Sequence, residues 1–504
     1  MEHFDVVVVG AGISGIGAGY HLQDKCPDRR YVILEGRDKI GGTWDLFKYP
    51  GIRSDSDMYT LGYSFRPWTD PKAIADGPDI LKYLNETASE YGIDRHIRYQ
   101  HFVKSAAWCS KTGCWTVDVE DRASGEMRQF SCNFLFMCSG YYDYDKGYTP
   151  DFKGIEKFSG QVIHPQQWAE GTDYANKRVV VIGSGATAVT LVPELAKQRA
   201  KHVTMLQRSP TYIVSSPGTD QIAVRLNRWL PPRLAAGVIR WRNVLFGLYF
   251  FRMCKKQPDR VRKMMLDGVR GELGPDYDID THFTPRYNPW DQRLCLVPDG
   301  DMFKSIKAGD ADVVTDHIQE FTENGILLES GELLEADLVV TATGLNMQLM
   351  SNLEIIVDGE KREVNKSFTY KGMMFSEIPN LALSMGYTNA SWTLKCDLTC
   401  KYICRLLNHM TRRGYHQCMP SMNDDSVQPE PFIDFSSGYV LRAQDKFPKQ
   451  GNKTPWKLHQ NYLLDLAGLS YSALEDGTMT FSSVSEYLPV GEKRELGEKM
   501  AAKS

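Results

Sequence analysis

Four short, nearly uninterrupted apolar runs organise the chain: Asp5-Val-Val-Val-Val9, Tyr31-Val-Ile-Leu34, Val179-Val-Val-Ile182 and Val203-Thr-Met-Leu206. Strands buried on both faces of a parallel sheet read this way, whereas half-exposed strands alternate. The first pair is joined by a stretch that predicts a helix through Leu22, and the second pair repeats the order. Two further runs, Phe134-Leu-Phe-Met-Cys-Ser-Gly140 and Leu338-Val-Val-Thr-Ala-Thr-Gly344, end in small residues. Such exits suit a chain leaving a sheet beneath a ligand or crossing between domains, with an ordinary strand end as the alternative. The fold class is α/β.

Each strand pair carries a glycine loop: Gly10-Ala-Gly12-Ile-Ser-Gly15 and Gly183-Ser-Gly185-Ala-Thr-Ala188. The first glycine makes the tight turn, the second lets backbone approach a pyrophosphate, and the third position needs a small residue for helix packing. Amides at the helix start face the phosphates. Glu35, 20 residues beyond Gly15, is placed to accept ribose hydroxyls. Gly41-Gly42-Thr43-Trp44 adds a second glycine turn suited to a longer dinucleotide, which favours FAD over NAD here. At the second site Arg208 stands where an NAD site places an acid, and its guanidinium can fork onto the 2′-phosphate of NADP. Ser209 can add a hydrogen bond, and Lys201 or His202 further positive potential; a plain surface arginine is the alternative. The pattern predicts two Rossmann-like dinucleotide-binding domains, one for FAD and one for NADPH.

Between Thr211 and about Gly274 the chain turns rich in Leu, Trp, Arg and Phe, and predicts a helical insertion broken at Pro231-Pro232. Trp241 to Phe251 is strongly apolar and is followed by Arg252, Lys255, Lys256, Arg260, Arg262 and Lys263. That run is too short to span a bilayer. A helical cap over the active site is the preferred reading, with peripheral membrane contact left open. Ser421 to Thr454 predicts a long loop or lid, and 493–504 a fraying end.

Length alone, 504 residues, suggests about three domains. A formal charge of −4 gives no phosphate-neutralising bias, so no nucleic-acid partner is expected. Eleven cysteines without C-x-x-C spacing fit reduced thiols in a cytoplasmic protein, and no signal peptide is expected at the N-terminus. Cys396, Cys400 and Cys404 fall on one helical face without acidic or histidine partners, so no metal site is expected. The lack of a closely spaced redox cysteine pair near the FAD elements argues against a pyridine-nucleotide-disulfide reductase.

Between the glycine loops runs Phe158-x-Gly160-x-x-x-His164-x-x-x-Trp168. With the loops, it resembles the fingerprint of the type I Baeyer–Villiger flavin monooxygenases; Ala169 follows where that family usually has Pro or Asp. Packing at a domain junction is the bland reading of Phe158 and Trp168, and it need not compete with the functional one. The runs Gly41-Gly-Thr-Trp-Asp-Leu-Phe-Lys-Tyr-Pro-Gly-Ile-Arg-Ser-Asp55-Ser-Asp-Met-Tyr59, Tyr287 to Leu296 and Gly386 to Lys395 resemble the ethionamide-activating branch. The resemblance implies an FAD domain from 1–145 and 380–504, an NADP domain from 146–210 and 286–379, and a helical insertion at 211–285. It implies that Arg293 stabilises the flavin peroxide and the tetrahedral adduct, that Asp55 orients Arg293, and that His164 couples cofactor binding to domain arrangement. Arg208 and Ser209 take the NADP adenosine end. Gln292 stands where a lysine commonly assists the 2′-phosphate. Helix or turn capping is the alternative for Asp55, and a structural salt bridge for Arg293. The implied reaction uses NADPH and molecular oxygen to convert ketones to esters or lactones through a C4a-peroxyflavin, with sulfides or thioamides as further substrates and no redox protein partner. A sulfur- or nitrogen-oxygenating flavoenzyme is the nearest rival, and a noncatalytic FAD-binding protein a more distant one.

Overall fold

The computed structural model describes residues 1–484, so the tail at 493–504 lies outside the described residues. The strand Glu2–Val9, whose Val6 to Val9 are buried, pairs in parallel with Tyr31–Leu34 and with the end of Glu126–Met137. The helix Ile13–Lys25 joins the first two, one turn longer than the pattern predicted.

This first sheet has eleven strands. Beyond the parallel core lies an antiparallel meander, His101–Cys109, Cys114–Asp121 and Glu126–Met137. Its middle strand alternates strictly, with Trp115, Val117 and Val119 buried. Short strands from later in the chain complete it. Glu354–Val357 pairs in parallel with His101–Cys109, and Leu381–Leu383 with Leu135 to Met137. The stretch 354–375, expected among the residues of the second nucleotide unit, therefore hydrogen-bonds into the first sheet. Its strands are two to four residues long, too short for periodicity to announce them.

The second sheet is wholly parallel, in the order Ala311–Thr315, His202–Gln207, Arg178–Ile182, Leu338–Thr341, Gln161–Ile163. The helix Ala186–Lys197 follows its glycine loop. The insertion forms Gln221–Trp229, Pro232–Lys256 and Pro258–Leu273, and Pro231-Pro232 separates the first two helices as the sequence predicts. A proline can open a helix but cannot continue one without losing a hydrogen bond. The strands Ile213–Ser216 and Cys295–Pro298 pair in parallel at the base of this insertion. No helix among the described residues is long and apolar enough to cross a membrane.

Two crossings connect the sheets, and they lie side by side: Tyr142–Gly147 pairs antiparallel with Leu345–Met347. The helix Trp392–Arg413 packs on Ile13–Lys25. Between them buried Asp397 accepts from buried His21 Nε2 (2.6 Å) and from Ser64 Oγ (2.5 Å) at the exposed edge. The cysteines of this helix face the same interface: Cys396 Sγ lies 3.4 Å from Ser14 Oγ, and Cys404 Sγ donates to the His21 carbonyl. The segment 421–454 is less a loop than expected. Pro429–Pro431 pairs with Lys449–Gly451, and Phe432, Ile433, Phe435, Val440 and Phe447 are buried in the core of the first sheet.

Candidate functional site

One large cavity runs along the first glycine loop and reaches Ala186 and Thr187 at the end of the second, and the two loops repeat one geometry. Gly10 has φ +103°, and a Cβ there would stand 2.8 Å from the Cys138 carbonyl oxygen. Gly183 has φ +135°, and its Cβ would overlap the Ala342 carbonyl oxygen. Both carbonyls belong to the small-residue strand exits read from the sequence. Each loop thus nests on the strand end beside it, an approach only glycine allows. Gly15 is required because its Cβ would overlap the Gly10 carbonyl, and Ala188 is buried at the equivalent place. Nothing lies within 4 Å of a Cβ on Gly185, so its backbone is open to a ligand.

Around the first loop, Gly42 (φ +56°) brings its backbone onto Gly12, and Thr43 Oγ1 lies 3.3 Å from the Tyr144 hydroxyl. Trp44 packs half-buried on the core. Glu35 is buried and accepts from the Ala11 amide (2.7 Å) and the Arg37 amide (2.9 Å). Burial raises its pKa while those amides oppose the rise. Four buried polar atoms on the cavity wall have no protein partner among the described residues: Arg37 Nη1, Arg53 Nη2, His101 Nε2 and Ser139 Oγ. Two cationic donors, a hydroxyl and a glycine cradle at a helix start fit an extended, anionic dinucleotide. The sequence reasoning missed Arg37, Arg53 and Ser139. Arg53 was legible only as a neighbour of Asp55, and Ser139 only as part of a strand exit.

At the far end of the cavity Arg293 Nε meets Asp55 Oδ2 at 2.6 Å, and Nη2 meets Oδ1 at 3.1 Å. This two-point fork fixes the guanidinium plane. Asp55 raises the Arg293 pKa further above its ordinary value, with lesser contributions from Tyr141 and Tyr439, so the cation is permanent. The capping alternative for Asp55 is taken by Asp57, which accepts from the Thr60 amide. Tyr141 and Trp392 stack at 5.2 Å beside the pair, and burial pushes the Tyr141 pKa up to about 12. Trp392 Nε1 donates to Ser14 Oγ. Tyr387 completes this wall, its hydroxyl donating to Asp465, which also pairs with buried Lys395 at 2.7 Å.

The loop carrying Arg53 and Asp55 also touches the second unit. A Cβ on Gly51 would stand 2.9 Å from Glu194 Cβ on the helix Ala186–Lys197. Tyr49 packs against the core of the second sheet. Arg53 Nη1 pairs with Asp301 Oδ2 at 2.5 Å.

At the second loop, Arg208 and Ser209 are exposed immediately past the strand His202–Gln207, and the Ser209 carbonyl accepts from Ser184 Oγ within the loop. Lys201 and His202 lie at the other end of that strand, roughly 20 Å away at the usual rise per residue, with His202 paired to Asp312. They do not join Arg208, because a strand carries residues at its two ends to opposite edges of the sheet. Gln292 is half-buried next to Arg293 and bridges to Pro289.

The run from Phe158 to Trp168 joins separate parts. Phe158 is buried on one face of the second sheet against Phe321, and Trp168 on the other against Tyr174. Gly160 leaves room for the Phe158 ring and the Asp337 carbonyl. His164 Nε2 lies 3.0 Å from the Gly344 carbonyl, and Nδ1 accepts from the Gln166 amide at 3.1 Å. Those partners assign the proton to Nε2. Burial lowers the His164 pKa, so the ring is neutral.

The family description "flavin-binding monooxygenase-like" matches residues 4–223. Over 481 residues the chain is 55% identical to "FAD-containing monooxygenase EthA" of Mycobacterium tuberculosis, covering 95% of this chain and 98% of that protein. It is 48% identical to "putative FAD-containing monooxygenase MymA" of the same species, covering 96% and 99%. Among solved structures, an oxidised steroid monooxygenase bound to NADP superposes with a TM-score of 0.74 at 22% identity, covering 95% of this chain and all of that one. Cyclohexanone monooxygenase from Rhodococcus sp. Phi1 bound to NADP+ gives 0.73 at 21% identity, covering 96% and 99%. The steroid and cyclohexanone enzymes share the fold, and the identity to EthA and MymA decides the family: this chain is a member of the FAD-containing monooxygenases.

Proposed function

We propose that this monooxygenase is of the Baeyer–Villiger type, using NADPH and molecular oxygen to convert a ketone into an ester or lactone. The observation that carries the reading is the Arg293–Asp55 fork at the end of the cavity that runs along the first glycine loop and reaches the end of the second. Gly10, Gly12, Gly15, Glu35, Arg37, Gly42, Thr43 and Trp44 would hold FAD, in a unit built from 1–145 and the C-terminal part. Gly183, Gly185, Ala188, Arg208, Ser209 and Gln292 would hold NADPH. When bound, FAD supplies the two-electron chemistry that lets NADPH activate dioxygen.

The chain's own residues set the electrostatics. Arg293 keeps its charge at any working pH and offers N–H donors where a ketone oxygen becomes an oxyanion. Asp55 holds the guanidinium in one orientation, so little reorganisation is needed as charge develops. Tyr141, Trp392 and Tyr387 shed water from that end of the cavity, which strengthens each charge interaction there. For each ketone consumed, one oxygen atom enters the product and the other leaves as water.

The test is turnover of a linear ketone under 18O2 with NADPH, with product analysis by mass spectrometry. An ester carrying one 18O supports the assignment. Sulfoxide from an aryl sulfide, with no ester from any ketone, would reassign the protein to heteroatom oxygenation. NADPH consumption that ends entirely in hydrogen peroxide would reject both.

A further inference from the structure

The helix Pro232–Lys256 has two apolar faces. One is buried: Ala235 and Ile239 pack with Tyr59 and Ala73, and Val244 packs with Tyr387 and Leu394. Arg240 donates to the Gly62 carbonyl (2.7 Å) and Asn243 to Asp57 (2.9 Å), fastening that face over the cavity wall. The other face is open. Leu234, Val238, Trp241, Leu245 and Tyr249 recur in steps of four and three residues along one stripe, and all are exposed, Tyr249 at 65%. Phe246 adds to it at 66%, and Trp229 on the preceding helix stands 79% exposed. Contact between Trp241 and Tyr462 (5.9 Å) brings the exposed Leu463 and Leu464 alongside. An apolar surface of this breadth marks an interaction site.

The charges around it select the occupant. From residue 221 to 258 the chain holds eight Arg and Lys and no Asp or Glu, although the whole protein is net acidic. Arg240 and Arg242 are used internally, and Lys255 pairs with Asp291. Arg225, Arg228, Arg233, Arg252 and Lys256 are exposed and carry no ion pair among the described residues. Aromatic and aliphatic side chains ringed by unpaired cations match the boundary between anionic headgroups and acyl chains. A symmetric contact between two copies would set like charges against each other. We propose that this face docks the enzyme on an anionic lipid bilayer, with the helix lying in the interface plane. The inference does not rest on the cofactor chemistry, and either can fail while the other stands.

The experiment is flotation of the FAD-loaded protein with phosphatidylcholine vesicles, with and without phosphatidylglycerol. The wild type is expected to float with the anionic vesicles, and less so as salt rises. Leu245→Ser/Phe246→Ser/Tyr249→Ser should abolish flotation while ketone turnover in vesicle-free buffer is unchanged. Arg225→Gln/Arg228→Gln/Arg233→Gln alters no packing and provides a second variant; it should weaken vesicle affinity by roughly a hundredfold. A wild type that stays unbound overturns the proposal, as does a triple-serine variant that floats equally well. If the serine variant instead breaks a self-association seen by sedimentation, with no lipid binding by the wild type, the face is an interface between copies and the lipid proposal fails.

Discussion

The His164 ring fills the space beside Gly147 so fully that a Cβ on that glycine would overlap the imidazole, while His164 Nε2 lies 3.0 Å from the Gly344 carbonyl. Gly147 ends one crossing between the sheets, and Gly344 precedes the other. One side chain therefore touches both connections. Gln166 adds to this, its Nε2 donating to the Asp143 carbonyl at 2.8 Å.

This arrangement carries a pH dependence. His164 has a folded pKa below its ordinary 6.5, so the unfolded chain binds the proton more readily. The contribution of His164 is complete above about 6.5 and is lost as the pH falls toward the lower folded value, because imidazolium cannot accept from the Gln166 amide. His164→Ala should flatten the acid limb of a thermal-unfolding profile between pH 7 and 5. An acid limb identical in the variant and the wild type would remove His164 from this role.

Arg293→Ala should lower ester formation by about two to three decades, the usual loss for one preorganised oxyanion donor. NADPH oxidation should persist, with its electrons released as hydrogen peroxide. Asp55→Asn keeps the shape but weakens the fork, and should fall between the two. Parallel assays of ester, peroxide and NADPH decide the matter: equal loss of all three, with flavin content intact, contradicts the division of labour.

The two glycine loops should separate the two cofactors. Gly10→Ala and Gly183→Ala each force a side chain into a positive-φ position against a carbonyl, a strain of about 1–3 kcal/mol or more. Flavin content after gel filtration should drop for Gly10→Ala alone. Gly183→Ala should raise the KM for NADPH roughly tenfold or more with flavin retained. Loss of flavin from both variants would argue against the assignment of the loops.

Asp397 should act on stability and leave selectivity alone. Burial works against its charge, yet hydrogen bonds from His21 and Ser64 hold its pKa well below the usual 3.8. Its stabilising contribution is therefore present at neutral pH and is lost as the pH falls below 3.8. Asp397→Ala leaves the buried His21 Nε2 donor without its acceptor, at about 1–3 kcal/mol, whereas exposed Ser64 can turn to water. Flavin fluorescence during a thermal ramp would show the drop, and an unchanged midpoint would show that His21 and Ser64 find other partners.

The parts legible in the sequence are those in which one residue type has one job. Uninterrupted Val and Ile runs announced the parallel strands, and the glycine spacings announced turns that the positive φ values of Gly10 and Gly183 require. The 421–454 segment misled because its buried residues, such as Phe432 and Phe447, lie at no regular spacing. Trp115, Val117 and Val119 did alternate, but alternation shows a half-buried strand without naming its neighbour. Arg37 and Arg53 were invisible as candidates because the buried, unpartnered guanidinium nitrogen that singles each out is made by the fold. The Tyr387–Asp465–Lys395 tie joins residues 78 positions apart, beyond any local pattern.

The loop from Tyr49 to Asp55 rests on the helix that follows the second glycine loop, with Gly51 pressed against Glu194 and Arg53 fastened to Asp301. The carboxylate that aims Arg293 is thus mounted on a bracket whose other end is bolted to the opposite unit. On the proposed reading, Asp55 would be an interlock, because the carboxylate that forks onto Arg293 sits in a loop fastened to both halves of the enzyme.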